Sequence, residues 1–155
     1  MPPPEVIRIA PDDSHFAHVG IFADGTQFLA FVTGANPGGG FPVPGEPNLK
    51  QWLAVVHLFD EDGAHLSTSV RLGGLDAEGR RVAQEKAADE LDTLLDELVE
   101  RRPSSTDIWV RPFALTIDGV KHGLVFEAES DSEWVMLWPR DLMFHPPWDS
   151  GEYSS

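Results

Sequence analysis

The chain has 155 residues, of which 26 are acidic and 11 are Lys or Arg, for a formal net charge of −15. A field of that sign repels phosphate backbones, because nucleic-acid binders gain affinity by displacing counterions with clustered Lys and Arg, so direct DNA or RNA binding is not expected. There is no cysteine, which excludes disulfides, thiolate chemistry and cysteine-ligated zinc.

A hydrophobic fraction of 41%, with nine Phe and five Trp, suits a globular chain that buries a core. The length fits a single domain over 1–155. The opening "MPPPEVIRIA" has no basic segment followed by a long apolar run, so a secretory leader is not expected. No window approaches the roughly 18 apolar residues of a membrane helix. The expectation is a cytoplasmic protein without membrane contact.

Three Asp-Gly steps set the β pattern: Asp24-Gly25, Asp62-Gly63 and Asp118-Gly119. Each lies between apolar, β-branched or aromatic runs, the short-range signal of a hairpin. In "HFAHVGIFADGTQFLAFVT" a two-residue turn predicts Ile21 opposite Phe28, Val19 opposite Ala30 and Ala17 opposite Val32. Next comes "GANPGGGFPVPGEPNL", residues 34–49, with five Gly and four Pro in sixteen residues. A loop that long inside a domain is usually functional or mobile, and its Phe41 and Val43 either pin it down or await a ligand.

The second hairpin joins "QWLAVVHLF" to "HLSTSVRL". The first run is apolar on both faces, as a central strand is. The second alternates, with Leu66, Thr68, Val70 and Leu72 predicted inward and His65, Ser67, Ser69 and Arg71 outward.

In "RRVAQEKAADELDTLLDELVERR" the residues Ala87, Leu91, Leu94, Leu95 and Leu98 form one apolar stripe at helical spacing. Asp76 is suited to cap this helix, Arg101 and Arg102 suit the negative end of its dipole, and Pro103 stops it. Nine acids stand against three basic residues between Asp76 and Glu100, so much of the net charge is on this element.

The third hairpin, "DIWVRPFALTIDGVKHGLVFEA", predicts Ile117 opposite Val120, Leu115 opposite His122 and Phe113 opposite Leu124. Pro112 cannot donate a ladder bond, so an edge strand or a bulge is expected there. "EWVMLW" adds a further strand. The end, "DLMFHPPWDSGEY", is unusually apolar for a terminus. Leu142, Phe144 and Trp148 are expected to strap the domain's own core, with the acidic coda returning to water; a docking tail is the alternative.

Sites of chemistry are hard to find. "GANPGGG" lacks the helix and Lys-Ser/Thr of a phosphate loop, and "DEDG" lacks a Glu at the twelfth position of a calcium loop, where Arg71 stands. His15 and His18 fall on opposite faces of a strand, and His57 and His65 share no parity across the second turn. His122 lies on the stripe of Val120, Leu124 and Phe126, as a core histidine would. No metal, no cofactor and no catalytic residue is expected. Arg111 shares strand parity with Trp109, Phe113 and Leu115, and a guanidinium on an apolar stripe needs a partner. An internal salt bridge is one reading and an anion-binding cleft the other. Candidate interaction residues are therefore Arg111, His122, Phe41 and Trp148.

The stretches "PEVIRIA", "ADGTQFLA", "LAVVHLFDEDGAHL", "DIWVRPFALTIDGVKHGLVFE" and "EWVMLWPRDLMFHPPWD" together resemble a family of small bacterial proteins labelled formate hydrogenlyase regulatory protein. The resemblance spans most of the chain and carries no catalytic signature. It implies a cytoplasmic regulator acting through protein contacts, and it brings no functional residue with it.

The expected fold is α+β: a twisted antiparallel sheet of six or seven strands built from hairpins, with one long amphipathic helix packed on a face. The expected function is non-catalytic binding or regulation through another protein, a basic one by charge. An acidic immunity-type inhibitor of a basic toxin such as a nuclease is the alternative, and a small-molecule binder or enzyme using the sheet concavity comes third.

Overall fold

The computed structural model describes residues 5–11, 18–22, 24–36, 49–97, 104–130, 132–140, 142–146, 148 and 153–154. The alternating and doubly apolar runs become strands β1 (Ile7–Ile9), β2 (His18–Ile21), β3 (Gln27–Ala35), β4 (Gln51–Phe59) and β5 (His65–Leu75). Helix α1 (Arg80–Asp96) follows a 3-10 turn at Asp76–Glu78. After it come β6 (Ser104–Ser105), β7 (Ile108–Val110), β8 (Phe113–Ile117), β9 (Val120–Glu129), β10 (Ser132–Trp138), β11 (Leu142–Phe144) and β12 (Tyr153–Ser154). The class is α+β with antiparallel pairing, as expected.

The strands do not form one sheet. They form a five-stranded sheet ordered β5-β4-β3-β2-β6, a second ordered β12-β11-β10-β9-β8, and a ribbon of β1 with β7. Strands β3 and β4 explain why. Both are apolar on both faces, and such strands need cover on each side. Towards the helix they present Phe28, Ala30, Ala54 and Val56, which meet Leu91 and Leu94. On the other side Leu29, Phe31, Leu53, Val55 and Phe59 meet Leu124, Val135, Leu137, Leu142 and Phe144 of the second sheet. The ribbon adds Ile7, Ile9, Ile108 and Val110 to that inter-sheet core. The result is three layers: helix, sheet, sheet.

Pro112 marks where the chain changes sheet. It separates β7, paired with β1, from β8, an edge strand of the second sheet. The missing donor is thus placed between ladders rather than within one.

The three turns differ. At Asp118-Gly119 both central residues have positive φ, 50° and 78°, which is what a two-residue type I′ turn requires. The predicted pairs Ile117–Val120, Leu115–His122 and Phe113–Leu124 all form. Among the described residues of the first hairpin only Gly25 has positive φ. The turn is one residue longer, closed by Phe22 N–H to Thr26 C=O at 2.8 Å, so Val19 lies opposite Leu29 rather than Ala30. A strand apolar on both faces does not resist a one-residue slip, and the pattern alone could not set this register. The second turn is likewise longer, with Asp60 N–H to Ala64 C=O at 2.9 Å. The body of the strand keeps Val55 opposite Val70, and a bulge at Leu66 absorbs the extra residue. Leu66 and Leu72, expected inward, are 57% and 52% exposed on this edge strand.

Helix α1 buries Ala83, Ala87, Leu91 and Leu94, with Leu95 partly covered. Leu98, Arg101, Arg102 and Pro103 lie outside the described residues. The helix comes so close to β5 that a Cβ on Gly73 would sit 2.4 Å from the Ala87 nitrogen. Asp76 does not cap α1, because the 3-10 turn intervenes and Gly79 takes the capping position. Its carboxylate instead accepts from Trp52 Nε1 at 3.0 Å and from Arg80 Nε at 2.8 Å.

The C-terminal segment does strap the core. Strand β11 pairs with β10, and Leu142 and Phe144 are 0% and 2% exposed. Trp148 packs against the same core, its ring edge-on to Phe126 at 6.3 Å. The coda was expected in water, yet Tyr153 and Ser154 pair with β11 and extend the sheet. Pairing satisfies the outer backbone groups of β11, which would otherwise form an exposed edge.

Candidate functional site

The inner face of β4 carries Leu53, Val55, His57 and Phe59 in strand alternation. His57 is fully buried at the seam between the sheets. Strand β5 brings Thr68 opposite it, and the bulge at Leu66 turns His65 to the same side, stacked on Phe113 of β8 at 4.3 Å. From the second sheet β9 supplies His122, also fully buried. The His57 ring centre lies 6.1 Å from that of His65 and 6.4 Å from that of His122. Phe31, Phe59 and Phe113 enclose the group.

One hydroxyl links two of the rings. Thr68 Oγ1 is 2.7 Å from His57 Nδ1 and 2.7 Å from His65 Nε2. With one proton to give and two lone pairs, it can donate to at most one of the two imidazoles, so at least one ring presents an N–H to that oxygen. His57 Nε2 and both nitrogens of His122 have no hydrogen-bond partner among the described residues.

Burial, reinforced by the neighbouring His122 and His65, pushes the His57 pKa down to about 3. Burial also lowers His122, and it lowers His65 against an opposing backbone hydrogen bond at Ser67. A hydroxyl this close to an imidazole has the geometry of a base-activated nucleophile. Here His57 is held uncharged near neutral pH and sealed from solvent, whereas His65 on the other side of the hydroxyl is only partly buried. The arrangement secures neutral rings in the seam.

The clustering of His57 with His65 corrects the parity expectation, and the bulge is its cause. The available signal was the turn itself: a loop one residue longer places His65 opposite Phe59, on the face that His57 shares.

Arg111 also departs from expectation. It is exposed, its Nε donates to the Asp62 carbonyl at 3.1 Å, and its own N–H donates to the Gly63 carbonyl at 2.8 Å. No carboxylate pairs with it among the described residues. Pro112 breaks the strand and resets its parity, so Ile108 and Val110 are buried while Trp109 is 43% exposed. Arg111 therefore clasps the β4–β5 turn and does not converge with the buried His122. Phe41 and Val43 lie outside the described residues. Trp148 is half-buried, so it serves packing; its indole nitrogen is buried without a hydrogen-bond partner.

On the opposite side, α1 turns Glu85, Asp89, Asp92 and Asp96 outward, all exposed. Their spacing of four, three and four residues makes one continuous stripe. Arg81 pairs with Glu85 at 3.3 Å, and Arg71 of β5 holds Glu90 and Glu97 at 3.6 and 2.6 Å. Asp89, Asp92 and Asp96 have no ion pair among the described residues.

A depression of about 580 Å³ is open to solvent beside the β9–β10 turn, lined by Glu129, Glu133 and His145 among others. Among the described residues no group of three or more His, Asp or Glu is placed to hold a metal ion, and no helix is long and apolar enough to cross a membrane. No family model, no curated protein and no solved structure matches this chain.

Proposed function

We propose that this is a non-catalytic binding or regulatory protein of the cytoplasm that acts by holding another, basic protein against the outer face of α1. The observation that carries this reading is the run Asp89, Asp92 and Asp96: three exposed carboxylates on one helical stripe, without basic partners among the described residues. Unneutralised charge on a rigid helix raises the encounter rate with an oppositely charged partner and favours one orientation of it. The resemblance to formate hydrogenlyase regulatory proteins points the same way. So does the placing of the groups best suited to chemistry: His57 and His122 are fully buried at the seam, and Thr68 is shared between His57 and His65.

An inhibitor of a basic toxin would use the same stripe. Such an inhibitor is better served by exposed aromatics beside its acids, and Val82 is the one large exposed hydrophobic described on α1. Regulation is therefore preferred to inhibition.

The test is affinity capture from a bacterial lysate with the intact chain and with the D89N/D92N/D96N variant. The expected result is a stoichiometric basic protein retained by the intact chain and lost by the variant, with both melting alike. Identical retention by the two would overturn the assignment to this face. A captured nuclease whose activity is abolished would replace the regulatory reading with the inhibitory one.

A further inference from the structure

We propose that His57, His65, Thr68 and His122 form a proton-operated latch between the two sheets, whose protonation parts the β4–β5 hairpin from the β8–β9 hairpin before the rest of the fold opens. The latch joins layers that no strand pairing connects. His57 and His65 belong to the first sheet and His122 to the second, with Phe113 of β8 stacked on His65. Strands β5 and β8 are edge strands of their sheets. Separating them breaks no ladder within either sheet.

Among the described residues, the surroundings of His57 offer a new positive charge no compensation. On β4 its neighbour is Phe59, on β3 Phe31, on β8 Phe113, on β5 His65 and Thr68, and on β9 His122. The ribbon and strands β10 and β11 contribute Ile7, Ile9, Ile108, Val110, Val135, Leu137, Leu142 and Phe144 to the same core. The charged groups nearby are positive or turned elsewhere. Arg140 lies over Phe31 at 5.7 Å and donates to the Val32 carbonyl at 2.7 Å. Lys121 lies over the Trp138 ring at 4.9 Å. Glu133 shares the parity of Val135, but it pairs opposite Ala128, six residues along β9 from His122.

A proton taken up here must therefore bring water with it, because an unpaired buried cation is costly. Water can enter at His65, the one ring of the three that is not fully buried. Once protonated, His65 can only donate to the Thr68 hydroxyl, so the contact no longer joins two neutral rings and carries a positive charge to the edge of the seam. The depressed affinity of all three rings for protons is the same coupling seen from the closed side: a state that binds protons poorly gives way to one that binds them well.

The experiment is amide hydrogen exchange on the full chain from about pH 7.5 to about pH 5, corrected for intrinsic rates, beside an imidazole NMR titration. The expected result is that amides of β5 and β8 lose protection by about tenfold or more over that range while those of β3 and β10 keep theirs. Unchanged protection in β5 and β8 down to about pH 5 in the unmodified chain would overturn the latch. His65→Phe preserves the stack on Phe113 and removes one titrating ring, so opening should move to lower pH. Opening at the same pH as in the unmodified chain would overturn it as well.

Discussion

Neutral imidazoles in a dry seam make stability depend on pH in a definite direction. His57 binds a proton at its ordinary value of 6.5 when the chain is unfolded but only at about 3 when folded. Its contribution is therefore complete above pH 6.5 and lost as pH falls from 6.5 towards 3, at up to about 1.4 kcal/mol per pH unit. His57→Gln keeps a donor for Thr68 without the titration. Urea midpoints at neutral and mildly acid pH should show the unmodified chain losing its advantage over this variant as pH falls; a constant difference would contradict the shift. Arg111→Ala, by contrast, should cost no more than about 1 kcal/mol, the worth of an ordinary exposed hydrogen bond. A loss of several kcal/mol on denaturation would show that its side-chain clasp on the Asp62 carbonyl is worth more than one ordinary bond. At this scale His122 was legible, because it falls in step with Val120 and Leu124 on an uninterrupted strand. Arg111 and His65 were not. Each sits beside a break in alternation, a proline in one case and a bulge in the other, and parity counted through a break is lost.

Among the elements, helix α1 and the C-terminal strand carry the clearest energetic weight. Leu91→Ala and Leu94→Ala should each cost about 2–5 kcal/mol in unfolding free energy, whereas Asp92→Ala should stay within about 0.5 kcal/mol. Gly73→Ala should destabilise by about 1–3 kcal/mol through overpacking against Ala87, and a neutral result would mean that the helix can be displaced from β5 at little cost. For the strap, Phe144→Ala should cost about 3–5 kcal/mol, and a chain ending at Arg140 should melt well below the intact one or precipitate. If it melts like the intact chain, β11 is dispensable and the core closes without it. The helix and strap were legible because burial of large side chains at regular spacing has few alternatives. The turns were legible in place but not in type: all three read Asp-Gly, yet only Asp118-Gly119 has positive φ at both positions, and that difference decided which predicted register held.

For the molecule as a whole, the distribution of apolar faces sets the layering. Strands β3 and β4 are apolar on both sides, so one side takes the helix and the other a second sheet, and charge is left to the outer surface of α1. A single sheet with one helix would have left the inter-sheet face of Leu53, Val55 and Phe59 bare. That requirement was present in the sequence, but hairpin signals specify neighbours in a ladder and say nothing of which ladders stack. The exposed carboxylates at Asp89, Asp92 and Asp96 follow from the same layering, since the helix has one buried stripe and its opposite side must be polar. Whether that side also binds is decided most directly by titrating the captured basic partner, once purified, against the intact chain and the D89N/D92N/D96N variant in calorimetry at low and high salt. If each carboxylate contributes a few tenths of a kcal/mol to about 1 kcal/mol, removing three weakens binding by about tenfold at low salt, and the difference shrinks as salt rises. Equal affinity for the two proteins at low salt would contradict the assignment of the partner to this face.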